Sequence, residues 1–329
     1  MKVLIVLLNK LIFFNIYRKF FMKRLFLILV LLFVYSSAFA QDTEYTVFSP
    51  PKVTAEMFEG EAFEDDEDAY AVYLHHCATS MLELVYSKPY RIVKYKGRIR
   101  VYKEKGVETY GDDFFKITYN SKNGGQEIRN IVLKCYNINE KGKIKVSETK
   151  KKEFVESEYK DKENDIERTT IKVPIKDLKV GSIIDWEYER YTPGQSPAAG
   201  WGFQKSVPIL YSEYIYQNLS LLDLDRIENG DYFIDEDEEY EGKSIFIDLG
   251  QRAQKYSTIV TYTNVADVPA FPDTRYYDNL NEYIANFSFR VKGVTQGGEY
   301  HPYTTPWNEI IEKSLEVNPI IEPQFLPPI

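Results

Sequence analysis

Polar and apolar residues alternate with a period of two in several short stretches of this chain. Ile99 and Val101 fall opposite Arg98, Arg100 and Tyr102, and Thr169, Ile171 and Val173 alternate with Thr170 and Lys172. Ile184, Trp186 and Tyr188 oppose Asp185, Glu187 and Glu189, and Phe287, Phe289 and Val291 oppose Asn286, Ser288 and Arg290. Successive side chains of a strand point to opposite faces, so these stretches read as antiparallel strands with one buried and one wet face. Asn139-Glu140-Lys141-Gly142 joins two such runs, with Asn first and Gly fourth, as a type I turn closed by a glycine bulge requires. Further turns are signalled by Asn123-Gly124-Gly125, Val180-Gly181, Asn229-Gly230 and Glu241-Gly242. Turns this dense, with no long helical period between them, predict an all-β antiparallel sandwich of one or two subdomains. The loop Thr192 to Gly200, with two Pro and two Gly, divides a first β block (69–191) from a second (201–295). One short helix is expected in 304–329: Thr305 caps it, Pro306 takes the first position, and Trp307, Ile310, Ile311 and Leu315 share a face before a proline-rich tail.

The N-terminus has a different texture. Met22-Lys23-Arg24 begins a basic segment, Leu25 to Tyr35 is an apolar run of eleven, and Ser36-Ser37-Ala38-Phe39-Ala40 ends in a small-x-small pattern. Residues 1–40 are therefore expected to be a secretory signal peptide cut after Ala40, with Met22 as an alternative start. A run this short does not reach the roughly 20 apolar residues of a spanning helix, so no stable membrane insertion is expected after cleavage. Cleavage takes away six basic residues and no acidic one, which moves the formal charge from −9 to −15. A surface so acidic argues against nucleic acid and anionic lipid as partners. Residues 41–68, ending in Glu64-Asp65-Asp66-Glu67-Asp68, read as a solvated, mobile leader, because the ligand spacing and turn glycine of a calcium loop are missing.

The 329 residues hold 27 Tyr and 20 Phe but only 3 His and 2 Cys, which favours strands and leaves little material for a metal cluster or a Cys/His nucleophile. No cofactor is implied. In His75-His76-Cys77, strand geometry puts His75 and Cys77 on one side and His76 on the other, short of a zinc site and without an orienting third group. His301 lies in a loop-like stretch and reads as a surface imidazole. Trp201, Phe203 and Gln204 follow the Pro/Gly loop as a candidate ligand-binding cluster: aromatics on a β scaffold can stack on sugar rings or anchor a peptide, or instead plug the end of a sandwich. Cys77 and Cys135 could pair by disulfide in an exported chain, or be buried free thiols.

An ordered series of segments carries a family resemblance. Ile128-Arg129-Asn130-Ile131, Tyr136-Asn137, the lysine-rich arm Lys143 to Lys152, Val180-Gly181-Ser182-Ile183-Ile184, Trp186-Glu187-Tyr188, Trp201-Gly202-Phe203-Gln204, Tyr211-Ser212-Glu213-Tyr214 and Val268-Pro269-Ala270-Phe271-Pro272 resemble a bacterial domain of unknown function. That domain sits N-terminal to transglutaminase-like, papain-like cores in exported proteins, and the resemblance runs from about Ala69 to about Val291. It implies an all-β fold, export to the periplasm or cell surface, and a non-catalytic accessory role through protein or envelope-glycan contact. No position matches the Cys, His and Asp motifs of the core, so the helix expected in 304–329 reads as the stub of that core. A free-standing glycan-binding module and a truncated fragment of a transglutaminase-like cysteine enzyme are the alternatives.

Overall fold

The computed structural model describes residues 47–111, 115–122, 125–163, 165–230, 234–248, 253–271, 283–296 and 298–303. The signal segment, the helix expected in 304–329 and the Asn123-Gly124 turn lie outside them. Strands are numbered in chain order. The main sheet has eight, in the order β12 (Glu236–Asp248), β13 (Ala253–Val268), β10 (Ile209–Leu219), β1 (Ala71–Val85), β2 (Lys88–Val101), β8 (Ile183–Pro193), β4 (Glu127–Ile138) and β5 (Ile144–Glu148). A second sheet contains β11 (Leu222–Asn229), β14 (Asn286–Gln296) and β15 (Glu299–Pro302), with β9 (Trp201–Gly202) also paired to β14. A third contains β3 (Lys116–Asn120), β7 (Ile166–Lys172) and β6 (Val155–Asp161).

The fold is all-β and sandwich-like, as the alternation predicts. One continuous core joins the inner face of the main sheet (Ile99, Leu133, Ile184, Trp186, Tyr214) to Trp201 and Phe287 of the second sheet and to Ile117 and Ile171 of the third. The two small sheets therefore cover one face of the large one. The expected hairpin is present: Gly142 adopts φ +70° and its N–H reaches Asn139 O at 2.9 Å, while Asn139 Oδ1 accepts the N–H groups of Lys141 and Lys143.

Several expectations are corrected. The main sheet is mixed, since β1 and β10 run parallel. The Thr192–Gly200 loop does not divide it, because strands from both expected blocks share it. Glu241-Gly242 is not a turn. It lies within β12 at a register shift, where a Cβ on Gly242 would come within 2.3 Å of Thr258 Oγ1, so close approach of strands explains this glycine. A helix without a sequence signal, α1 (Glu104–Tyr110), follows β2 and buries Tyr110 in the core.

The largest difference concerns Arg98 and Arg100, which the alternation assigns to a wet face yet which are only 4% and 6% exposed. Residues 47–60, expected to be a mobile leader, lie across that outer face as a strap. A guanidinium can be buried where its donors meet acceptors; here Asp185 and a main-chain carbonyl of the strap supply them for Arg98, and strap carbonyls supply those of the Arg100 Nη atoms, while Arg100 Nε has no partner among the described residues.

Candidate functional site

The inner aromatic cluster forms around Trp201. β9 holds Trp201 opposite Phe287 of β14, and its indole lies between His76, stacked at 4.4 Å, and Tyr214, at 5.0 Å and 7°. Its Nε1 donates to Ser212 Oγ at 3.1 Å, and Ser212 Oγ donates to the carbonyl of His76. Trp186 approaches the same imidazole at 6.1 Å, in space left by Gly97, where a Cβ would meet the indole at 2.6 Å. Trp201 is 6% exposed and Phe203 1%, so neither ring offers a face to a sugar or peptide. Gln204 is a strut: its Oε1 accepts Ala285 N–H and its Nε2 donates to Pro269 O. Of the two readings the sequence leaves open for this cluster, ligand platform and sandwich plug, the burial of both rings fits the plug, and the physical reason is stacking area removed from water.

On the outer face, β1 presents His75 and Cys77, β2 presents Lys96, Arg98 and Arg100, and β10 presents Tyr211 and Glu213. His75 and Cys77 share this side and His76 points inward, as the strand period requires. Phe48 of the strap packs its ring against Tyr211 (4.7 Å) and His75 (5.2 Å). Its N–H donates to Glu213 Oε1 at 3.0 Å and its carbonyl accepts from Lys96 Nζ. Glu213, 1% exposed, is also the acceptor for the Tyr211 hydroxyl at 2.9 Å. Arg98 forms a two-pronged pair with Asp185 (2.6 and 2.8 Å) and donates to Pro51 O. Arg100 donates to the carbonyls of Phe58, Glu59 and Gly60.

This environment silences the candidate nucleophile. Burial pushes the Cys77 thiol up to about 12, with the Glu213 carboxylate adding to it. Burial, then the Arg98 and Lys96 charges, pushes His75 down to about 3. A thiolate nucleophile needs the opposite surroundings. Burial also holds His76 well below the ordinary imidazole range. Cys135 is buried too, and its thiol is likewise raised by burial. Both cysteines are free. Cys135 pairs across β4 and β8 with Ile184 on the inner face, whereas Cys77 lies on the outer face of β1, with β2 and β8 between the two strands. At about 4.8 Å per strand the two are far outside bonding distance, so no disulfide forms. His301 is exposed on β15. Among the described residues there is no group of three His, Cys, Asp or Glu arranged to hold a metal.

A cleft of about 480 Å³ opens between the main and second sheets, lined by Tyr216, Asn218, Phe289 and a charged pair in which Arg226 clasps Asp237 at 2.6 and 2.9 Å. Sequence reasoning missed both the cleft and the strap contacts. A row of cations at alternate positions of β2 was the one available signal for the latter.

No protein-family model matches this chain, and no curated protein matches it. Among solved structures it is similar to a candidate protease from Parabacteroides distasonis ATCC 8503, at 16% identity and a TM-score of 0.49, over 67% of this chain and 40% of that one. The chain thus spans less than half the length of that relative.

Proposed function

We propose that this chain is a non-catalytic accessory β domain of an exported, transglutaminase-like protein, and that it works by contact with protein. The observation that carries this reading is the state of Cys77. The thiol is buried beside the Glu213 carboxylate, and the imidazole on its side of the sheet is held neutral by burial first and then by the Arg98 and Lys96 charges. Neither half of a nucleophile and base pair is available in this arrangement. Protein rather than envelope glycan is favoured because the rings expected to stack on sugars are interior, while the outer face already holds an extended segment by its main chain.

The test is to assay the purified chain from Gln41 onward for peptidase and amide-transfer activity on envelope peptides, beside its Cys77→Ala variant. The expected result is no turnover above buffer in either protein. Activity that disappears in Cys77→Ala would overturn the reading.

A further inference from the structure

The outer-face slot reads very little of the strap's side-chain chemistry. It takes the ring of Phe48 between Tyr211 and His75, the N–H of Phe48 on Glu213, the carbonyl of Phe48 on Lys96 and the carbonyl of Pro51 on Arg98. Ser49, between them, is exposed. Lys96 and Arg98 can donate but not accept, so they satisfy carbonyls and offer nothing to an N–H. Proline has no N–H, and a proline pair is therefore the natural continuation of a segment on such a face. The segment that suits this slot is an aromatic residue, any residue, and two prolines: the ring is held, the second proline's carbonyl is held, and neither proline brings an N–H that needs an acceptor. That pattern occurs twice in the 329 residues, as Phe48-Ser49-Pro50-Pro51 and as Phe325-Leu326-Pro327-Pro328. The second copy differs at the exposed position and keeps the phenylalanine and both prolines.

We propose that the slot formed by His75, Lys96, Arg98, Tyr211 and Glu213 is a docking site for Phe-x-Pro-Pro segments, filled by the chain's own Phe48–Pro51 and exchangeable for Phe325–Pro328 of a second copy. The strap is tethered to β1 by about ten residues, so it competes at a high effective concentration, and exchange becomes strong only when the strap's own anchor is weakened. Aromatic-lined grooves recognise proline-rich segments in this way because such segments lose little conformational freedom on binding. The inference rests on the contact-module reading and extends it by naming the partner.

The experiment uses the full mature chain carrying Phe325→Ala, so that its own tail cannot compete, with and without Phe48→Ala. A fluorescein-labelled peptide of sequence 319–329 is titrated into each and followed by anisotropy. The peptide is expected to bind the Phe48→Ala chain at least tenfold more tightly, and a peptide with Phe325→Ala to lose at least tenfold. Equal affinity for the two chains, or for the two peptides, would overturn the proposal. If Phe48→Ala does not fold, Phe48→Leu keeps an apolar filler and is used instead, with the same direction expected. In sedimentation, a Phe48→Ala chain with its native tail is expected to associate and to return to monomer on Phe325→Ala; a monomer in both removes the exchange between copies. None of these readouts involves turnover, so an active Cys77 would sink the accessory role and leave the slot standing.

Discussion

The two faces of the main sheet solve burial in opposite ways. The inner face is closed by rings: Trp201 stacks between Tyr214 and His76, Trp186 packs tilted against His76, and Phe287 and Phe289 of the second sheet complete the layer. The outer face is closed by main chain: Lys96, Arg98 and Arg100 stand in a row along β2 and end on the carbonyls of residues 48–60. Burying rings is rewarded by area removed from water and tolerates approximate fit. Burying cations is costly wherever a donor loses its acceptor, so the outer face depends on one segment in one register. The inner face is therefore the scaffold, and the outer face is where a change of occupant can be felt.

The sharpest way to break this contrast is Trp201→Ala. It removes the ring that joins the main and second sheets and is expected to cost about 3–5 kcal/mol in chemical denaturation. A loss below about 1 kcal/mol would show that the ring is not the plug. On the outer face, Arg98→Ala removes the partner of Asp185, which is about a quarter exposed, together with the Pro51 contact. After allowing for that exposure, roughly 2–3 kcal/mol is expected. Arg98→Met combined with Asp185→Leu should recover most of it, and a double variant as weak as the single would point to strap loss rather than an orphaned charge.

A change of pH gives the remaining test. His75 and His76 are both held below the ordinary imidazole value, His75 to about 3, so the folded chain keeps them neutral. Below about pH 6.5 the unfolded chain takes up protons that the folded one does not. Stability is then full above 6.5 and falls as pH drops towards 3, by up to roughly 1.4 kcal/mol per unit for each histidine. Thermal midpoints between pH 7 and 5 check this, and His75→Gln should remove about half the slope. A slope unchanged by that variant would mean that the outer-face imidazole is not buried in solution.

Some of the arrangement was legible in the residues. The alternation in 184–189 and 286–291, the hairpin at Asn139–Gly142 and the opposite sides of His75 and His76 follow from local rules, and each is present. The alternation around Arg98 also read correctly as a face, and failed only in calling that face wet. Polarity reports whether a group needs partners and is silent on whether water or a distant main chain supplies them. The same gap left Trp201 and Phe203 open between binding platform and sandwich plug, because an aromatic residue after a loop has one sequence signature whether it faces solvent or plugs a core.

By itself the sequence determined the strand class, the turns at Asn139–Gly142 and Val180-Gly181 and the scarcity of catalytic side chains, since periodicity, turn chemistry and composition are local. Only the tertiary structure decided that β10 lies parallel beside β1, that one sheet runs through both expected blocks, and that residues 47–60 close the outer face. Those outcomes depend on contacts between residues from 40 to 165 positions apart, such as Arg100 with Gly60 and Phe48 with Glu213, which no short window along the chain contains. Whether a polar face meets water or chain is settled by which distant segment arrives with acceptors to match it.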